Sequence, residues 1–250
     1  MSLSSPDNAL ALLPGRAVLR ASGAGPREQV AGEGWDGAMA GLRALLDKAH
    51  PRGAIHVVMS HHFARLLLLA PPPLRLNGAE MEGWIGGRLA ELYGVEAAAW
   101  RAVWQDTPPG RPVPVAVMEA AQFDSLLGLF KEAGLRPGQV EPWFATAWNR
   151  QRRVMAGRSG WFALLEPGRI ALARVEGRRP LTLRVAQGGP EPMKDLAALL
   201  TRESLHGGVT GQGELWLAAA GVEAPVSGNL AGCAIRPLLP AGAGVEGMLP

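Results

Sequence analysis

Two short turns of nearly the same sequence are the places where this chain could bind a metal ion beside a phosphate. Pro14–Arg16 and Pro167–Arg169 both read Pro-Gly-Arg, join apolar runs and lie roughly 150 residues apart. Carboxylates at such turns supply the oxygen ligands that Mg²⁺ prefers. The first turn has none. The second has only Glu166, which looks like an extra residue, and the neighbouring proline lacks an amide that could bind phosphate. The turns therefore indicate neither a metal-dependent nuclease nor an intact phosphate site.

Three histidines, His56, His61 and His62, lie close together along the chain. Adjacent histidines on an extended segment point to opposite faces, so at most one of the pair could join His56 on a metal ion. We interpret all three as structural or surface residues. Ser60 and Cys233 are possible nucleophiles, but no motif around them in the sequence would activate either.

The most glycine-rich segment, Gly207–Gly213, precedes a predicted strand. Phosphate-binding loops follow a strand and open a helix. We therefore interpret this segment as a connector between elements.

The candidate partner-binding residues all belong to one helix, which is predicted to begin at Pro142: they are Trp143, Phe144, Arg150, Arg152 and Arg153. Basic residues near a helix C-terminus suit the helix dipole and a solvated face. The alternative is that the three arginines bind an acidic segment of a partner. The two aromatic residues at the helix start are expected to line a groove for a peptide.

Composition narrows the class of protein. Of 250 residues, 19% are charged and 48% apolar, and the net charge is +3, as in an ordinary globular protein. No dense basic stripe with interleaved aromatics indicates nucleic-acid binding. The single cysteine excludes an intramolecular disulfide and a cysteine-based zinc cluster. The longest apolar run, Leu66–Pro73, is far short of the ~20 residues that span a bilayer, and no signal peptide is indicated. We expect a cytoplasmic chain.

Strand and helix patterns alternate around the two turns. Each turn lies in a predicted β-hairpin, at residues 9–20 and 161–174. The clearest helix begins with a capping-box pattern at Asn77 and Glu80 and ends near Gly94.

Two further segments lie between this helix and the candidate partner-binding helix. Val113–Val117 is predicted to be an edge strand because Pro114 interrupts it. Leu135–Val140 is expected to be a linker. The whole pattern is typical of an α/β fold with mixed sheets.

The repeated hairpin indicates two related lobes. We expect residues 1–156 to form the first lobe, and residues 157–250 to form a second, shorter lobe that ends in a Gly/Pro-rich segment. The loop Gly157–Gly160 is the predicted boundary.

Three stretches of sequence resemble a known family. Val58–Leu68, Glu91–Gly94 and Glu141–Arg150 are similar to the PilM/GspL-type actin-like proteins, and more narrowly to divergent PilM-like members. Trp161–Arg174 restarts the same pattern. The resemblance covers roughly residues 8–220. It implies a two-lobed actin-like fold, related to ribonuclease H, in which a β-hairpin opens each lobe.

The resemblance also implies a function. The chain would be a cytoplasmic component of a type IV pilus or type II secretion-like assembly platform, held at the inner membrane by a PilN-like cytoplasmic segment. ATP-binding members have an acidic, glycine-rich hairpin in each lobe, whereas this chain has Pro-Gly-Arg turns. Where the family places its adenosine-contacting glycines, only Gly221 remains. We therefore expect a non-catalytic scaffold without catalytic residues, metal or cofactor.

Two other functions compete with the scaffold. The first is an ATP-binding switch of the same fold, in which Mg·ATP sets the closure of the lobes. The second is a small-molecule kinase, which the absence of an acidic general base near a glycine-rich loop disfavours.

Overall fold

The computed structural model describes residues 8–207, 213–225, 227–240 and 242–250, so most of the predicted connector Gly207–Gly213 lies outside the described residues. The strands are β1 (Asn8–Leu13), β2 (Arg16–Arg20), β3 (Arg27–Val30), β4 (Gly53–Met59), β5 (Arg65–Leu69), β6 (Trp100–Trp104), β7 (Val113–Glu119), β8 (Leu135–Pro142), β9 (Ser159–Glu166), β10 (Arg169–Glu176), β11 (Arg179–Gln187), β12 (Gly213–Ala219), β13 (Asn229–Leu230) and β14 (Cys233–Pro237). The helices are α1 (Gly34–Ala49), α2 (Gly78–Tyr93), α3 (Ala120–Glu132), α4 (Trp143–Gln151) and α5 (Pro192–His206), with 3₁₀ turns at Gly94–Ala99 and Val245–Met248.

Two mixed sheets repeat one topology. The first has the order β3-β2-β1-β4-β8, and the second has the order β11-β10-β9-β12-β14-β13. In each sheet, three consecutive strands (β1–β3 or β9–β11) pair antiparallel. Two later strands then continue the sheet parallel to the first of these, namely β4 and β8 beside β1, and β12 and β14 beside β9. This confirms the α/β class and the related lobes that the hairpins predicted. We call the parts built on these sheets the first and second lobes.

The two hairpins also have the same register, which corrects one expectation. Leu13 pairs with Arg16 across the first turn, and Glu166 pairs with Arg169 across the second. Glu166 is therefore not an extra residue but the counterpart of Leu13. Side chains alternate along a strand, so Glu166 lies on the same face of its sheet as Leu164, toward the first lobe.

A smaller sheet of order β5-β7-β6 is inserted between β4 and β8 of the first lobe. The expectation that the segment around Pro114 forms an edge strand is wrong, since β7 is central. The proline is tolerated because β6 ends at Trp104, which pairs with Val115. Just beyond that end the Pro114 carbonyl accepts from the amide of Gln105, so the missing Pro114 amide affects only the last pair of residues along this ladder.

One hydrophobic core joins the lobes. Alternate residues of β1 and β9, among them Ala11 and Leu164, face a cluster that also contains Trp148 of α4 and Met248. The opposite faces of the two sheets pack against α1 and α3 in the first lobe and against α5 in the second. Separating the lobes would therefore expose apolar surface from both.

Short-range sequence patterns predicted most of the boundaries of helices and strands. The capping box at α2 is present, because Asn77 and Glu80 each accept from the other's backbone amide. The expected linker Leu135–Val140 is instead the edge strand β8, and Pro142 is the N-cap of α4. Pro137 and the bulged Gly138, where the register shifts, hide the strand pattern in the sequence.

Gly37 tests the close packing of α1 against its own lobe. A Cβ at this helical glycine would collide with the carbonyl oxygen of Ala31 and lie 2.7 Å from the carbonyl carbon of Gly32. We expect Gly37→Ala to lower the free energy of unfolding by about 2 kcal/mol or more. The control is Gly86→Ala, at an open position in α2, which should raise it by about 0.5–1 kcal/mol. Urea unfolding measures both. A neutral Gly37→Ala would contradict this packing.

Candidate functional site

The first hairpin turn is covered by its own lobe. The Gly15 amide donates to the Gly34 carbonyl at 2.8 Å, and the Gly15 carbonyl accepts from Ala31 at 2.9 Å. Gly15 has a φ of +67°, and a Cβ there would lie 2.5 Å from the Gly32 oxygen, so glycine is required for both conformation and space. The amide that a phosphate would need is thus already bonded within the protein.

The second turn reaches across to the other lobe. Oε1 of Glu166 accepts the backbone amide of His61 at 2.8 Å and lies 2.7 Å from its Nδ1. Both side chains are 1% exposed. Next to this pair, Nε2 of His62 lies 2.8 Å from the Pro167 carbonyl oxygen. We call these contacts the lobe bridge. It joins the loop after β4 to the tip of the second hairpin.

The lobe bridge determines the charge state of its carboxyl group. Burial by itself raises the pKa of Glu166, but the adjacent His61 and Ser60 outweigh this effect, so that the pKa lies below its usual range. Trp143 packs beside the His61 ring, with ring centroids 6.4 Å apart. The pair is therefore a buried contact to a carboxylate, beside an aromatic side chain.

The chain's own last residues cover the end of β12. The Gly221 amide donates to the Ala243 carbonyl at 3.0 Å, and a Cβ at Gly221 would lie 2.7 Å from Val245. The carbonyl of Leu249 accepts from Arg150 at 2.7 Å. This is the position at which the family resemblance placed adenosine-contacting glycines.

The structure separates the five predicted partner-binding residues. Trp143 is 1% exposed and lies in the core beside His61, so it presents almost no surface to a partner in this structure. Arg150 bonds to the chain itself. Phe144 is 2% exposed and forms part of the floor of a second groove, beside Arg152. Arg153 is exposed and is not part of the lining of the groove beside Phe144.

Sequence reasoning missed an apolar groove of about 310 Å³ along β8, the edge strand of the first sheet. We call it the sheet-edge groove; its lining includes Met59, Val103, Met118, Phe123, Gln139 and Val140. These residues come from β4, β6, β7, α3 and β8, so no local motif marks them. An exposed strand edge beside an apolar groove can bind an extended peptide by strand addition.

A polar network fixes one end of this groove. Oε1 of Glu141 lies 3.0 Å from Nε2 of His56 and accepts from the Thr146 hydroxyl at 2.7 Å. Its Oε2 accepts from the side-chain Nε2 of Gln139 at 2.9 Å. The sequence signal was weak, because the three partners of Glu141 lie on different elements. The network holds β8 against β4 and the start of α4.

An open cavity of about 600 Å³ remains beside the second turn. It is lined by residues of the second lobe alone, among them Gly168, Arg169, Gly189, Lys194 and Glu223. Among the described residues, no three His, Cys, Asp or Glu side chains are grouped so that they could hold a metal ion. None of the described helices has the length and apolar composition needed to cross a bilayer.

Comparison with solved structures identifies the fold. A chain of the PilM-PilN type IV pilus biogenesis complex matches with a TM-score of 0.69 and 15% identity, over 94% of this chain and 88% of that one. The cytoplasmic domain of EpsL, an inner-membrane component of the type II secretion system of Vibrio cholerae, matches with a TM-score of 0.60 and 13% identity, over 96% and 91%. A Bacteroides thetaiotaomicron protein with an actin-like ATPase fold and unknown function matches with a TM-score of 0.54 and 10% identity, over 87% and 83%.

The chain has the actin-like fold. The resemblance to PilM- and GspL-type actin-like proteins is thus confirmed at the level of the fold. No protein-family model matches the sequence, and no curated protein matches it. In this actin-like protein the lobe bridge and the chain's own last residues occupy the seam between the lobes.

The lobe bridge predicts how stability depends on pH. Because the folded-state pKa of Glu166 is lowered, its stabilisation is complete above the unfolded value of about 4.3 and is lost as the pH falls through the folded value. Glu166→Gln should lower the free energy of unfolding by about 2 kcal/mol or more at pH 7. This difference from the wild type should shrink toward pH 3. Urea unfolding from pH 7 to 3 measures both effects.

The matched control is Glu82→Gln, an exposed position on α2 that forms no ion pair among the described residues. It should keep the pH dependence of the wild type. If Glu166→Gln also kept it, the carboxylate contact of the lobe bridge would be refuted.

Proposed function

We propose that this actin-like protein is a non-catalytic scaffold of a type IV pilus or type II secretion-like assembly platform. It would bind the cytoplasmic segment of a PilN-like inner-membrane protein, and so would be cytoplasmic and peripheral to that membrane. The observation that carries the proposal is the lobe bridge, since the residues that could serve a phosphate or metal site bond to each other.

The composition of the two turns disfavours catalysis. Phosphoryl transfer on Mg²⁺ needs carboxylate ligands and donors aimed at phosphate oxygens. The first turn offers Leu13 where the second offers Glu166, and the Gly15 amide is already bonded. The one carboxylate is buried and accepts from His61. Recruiting these groups for ATP hydrolysis would require breaking the lobe bridge.

The sheet-edge groove supports a peptide partner. Its lining is predominantly apolar, its edge strand is unpaired on one side, and Val103 at its wall is 59% exposed. The structurally similar chain comes from a complex with PilN. A short PilN-like segment in extended conformation could add to β8 and place apolar side chains in the groove. Nucleic acid is not part of the proposal.

An ATP-binding switch is the alternative. The cavity beside the second turn favours it, because the cations Arg169 and Lys194 belong to its lining. The backbone amides of Gly188 and Gly189 are already bonded, to the Gly168 carbonyl and the Asp195 carboxylate. Its lining comes from the second lobe only. A nucleotide bound there would have no direct contact with the first turn.

The peptide proposal is tested at Val103. The probe is a synthetic peptide of the cytoplasmic segment of a PilN-type protein from the same cell, with binding followed by calorimetry. We expect Val103→Asp to weaken binding about tenfold or more, because a carboxylate would be desolvated against apolar side chains. The control Val30→Asp, at a 55% exposed valine on β3, should bind like the wild type. Equal binding by both variants would refute the sheet-edge groove as the binding site of the peptide.

The non-catalytic proposal is tested by thermal unfolding with and without Mg·ATP. A ligand at 100 times its dissociation constant stabilises the native state by about 2.7 kcal/mol, which raises the melting temperature of a chain of this size by roughly 5–10 °C. We expect no shift at millimolar ATP. A shift of that size would favour the ATP switch instead, and Lys194→Ala, beside the open cavity, should then abolish it.

A further inference from the structure

A second groove lies at the opposite edge of the inserted sheet. The sheet order β5-β7-β6 places β6 beside the sheet-edge groove and β5 beside this one, whose volume is about 390 Å³. One wall is β5, the other is β11, the edge strand of the second sheet, and α4 lies between them. We call it the basic groove. It belongs to both lobes, whereas the sheet-edge groove belongs to the first alone.

The floor of the basic groove is apolar and firmly built. Leu66 and Leu183 pack against the core shared by the lobes. Phe144 and Trp148 lie beside them with parallel rings, their centroids 6.2 Å apart. Both rings are held by edge-on contacts with Phe162. The floor therefore exists before any ligand binds, which lowers the entropic cost of binding.

Four arginines from three separate segments surround this floor: Arg111, Arg152, Arg178 and Arg179. All four are exposed, and the lining of the groove contains no Asp or Glu. Within the part of the chain that the structure describes, none of them forms an ion pair.

Other arginines of the second lobe are neutralised. Arg158 and Arg236 lie 3.3 and 3.1 Å from the carboxylate of Glu214, and Arg184 lies 3.4 Å from that of Glu203. Like charges that converge without partners repel each other. Four such guanidinium groups around one groove therefore favour an anionic ligand, and each can bind a carboxylate through two hydrogen bonds.

We propose that the basic groove binds an acidic, amphipathic segment of a second protein partner, distinct from the partner of the sheet-edge groove. Its apolar side chains would contact Leu66, Phe144 and Leu183, and flanking Asp or Glu side chains would pair with the arginine rim. A scaffold with this site would hold two proteins at once, on opposite edges of the inserted sheet. The site does not depend on the identity of the first partner.

A peptide fits the groove better than an anionic membrane does. The floor lies below the rim, and Phe144 is only 2% exposed. A flat bilayer surface would contact the arginines but leave the concave floor unfilled, whereas leucine side chains of a peptide can enter it. The concave shape of the floor therefore favours a peptide over a membrane, although both ligands carry negative charge.

The experiment uses the whole chain and fluorescence anisotropy. The probe is a labelled peptide that alternates pairs of Glu and Leu, with one matched version carrying Gln for Glu and another carrying Ser for Leu. Vesicles of phosphatidylglycerol and phosphatidylcholine test the membrane. We expect the first peptide to bind, and both matched peptides to bind about tenfold more weakly or not at all.

Two variants and a control locate the site. Arg152→Glu and Arg179→Glu should each weaken binding of the acidic peptide about tenfold or more. Arg153→Glu makes the same change in net charge one residue away, outside the groove, and should change binding less than about twofold. Unchanged melting temperatures would show that the exposed substitutions leave the fold intact.

Other outcomes would overturn the proposal. Absence of peptide binding at millimolar concentration, equal losses at Arg152 and Arg153, or binding that survives the Ser-for-Leu change would each refute a specific amphipathic site. Binding to vesicles but not to peptides would replace it with a membrane contact. None of these outcomes bears on the sheet-edge groove, which Val103→Asp tests separately.

Discussion

The buried contact between Glu166 and His61 is the interaction on which the arrangement of the two lobes depends. A carboxylate at 1% exposure is tolerable only when its charge and oxygen atoms have partners. Its oxygen finds both the amide and the ring of His61 only while the second hairpin touches the loop after β4. The same relative position buries the apolar cluster between the sheets. Polar and apolar contacts thus favour the same arrangement of the lobes.

This arrangement changes what the actin-like fold can do here. Its two hairpin turns lie where an acidic, glycine-rich site would be assembled, but each turn is engaged within the protein. Gly15 bonds to the loop before α1, and the tip of the second hairpin bonds to His61 and His62. The hydrogen bonds made by the two turns contribute stability. Among the described residues, Oε2 of Glu166 and Nε2 of His61 are buried without a hydrogen-bond partner. Surfaces away from the seam are where we propose that partners bind.

The inserted sheet supplies those surfaces. Because it is only three strands wide, both of its edges lie close to the large sheets, and each edge borders a groove. The groove beside β8 is predominantly apolar, whereas the groove beside β11 has an apolar floor and a rim of arginines. If both proposals hold, different chemistry at the two edges would let the chain discriminate between two partners.

Local sequence determined the hairpins, the capping box of α2, the α/β alternation and the relatedness of the lobes. Each depends on turn chemistry or on periodicity within a few residues, and the resemblance added the actin-like fold. The sequence misled at Pro114 and at Pro137–Gly138, where prolines and a bulge disguise strands whose neighbours tolerate them. Only the tertiary structure decided that Glu166 corresponds to Leu13, that Trp143 covers His61, and which arginines stand free around a groove. These facts depend on contacts between residues that are up to about 100 positions apart, and no short-range pattern records which distant side chains meet.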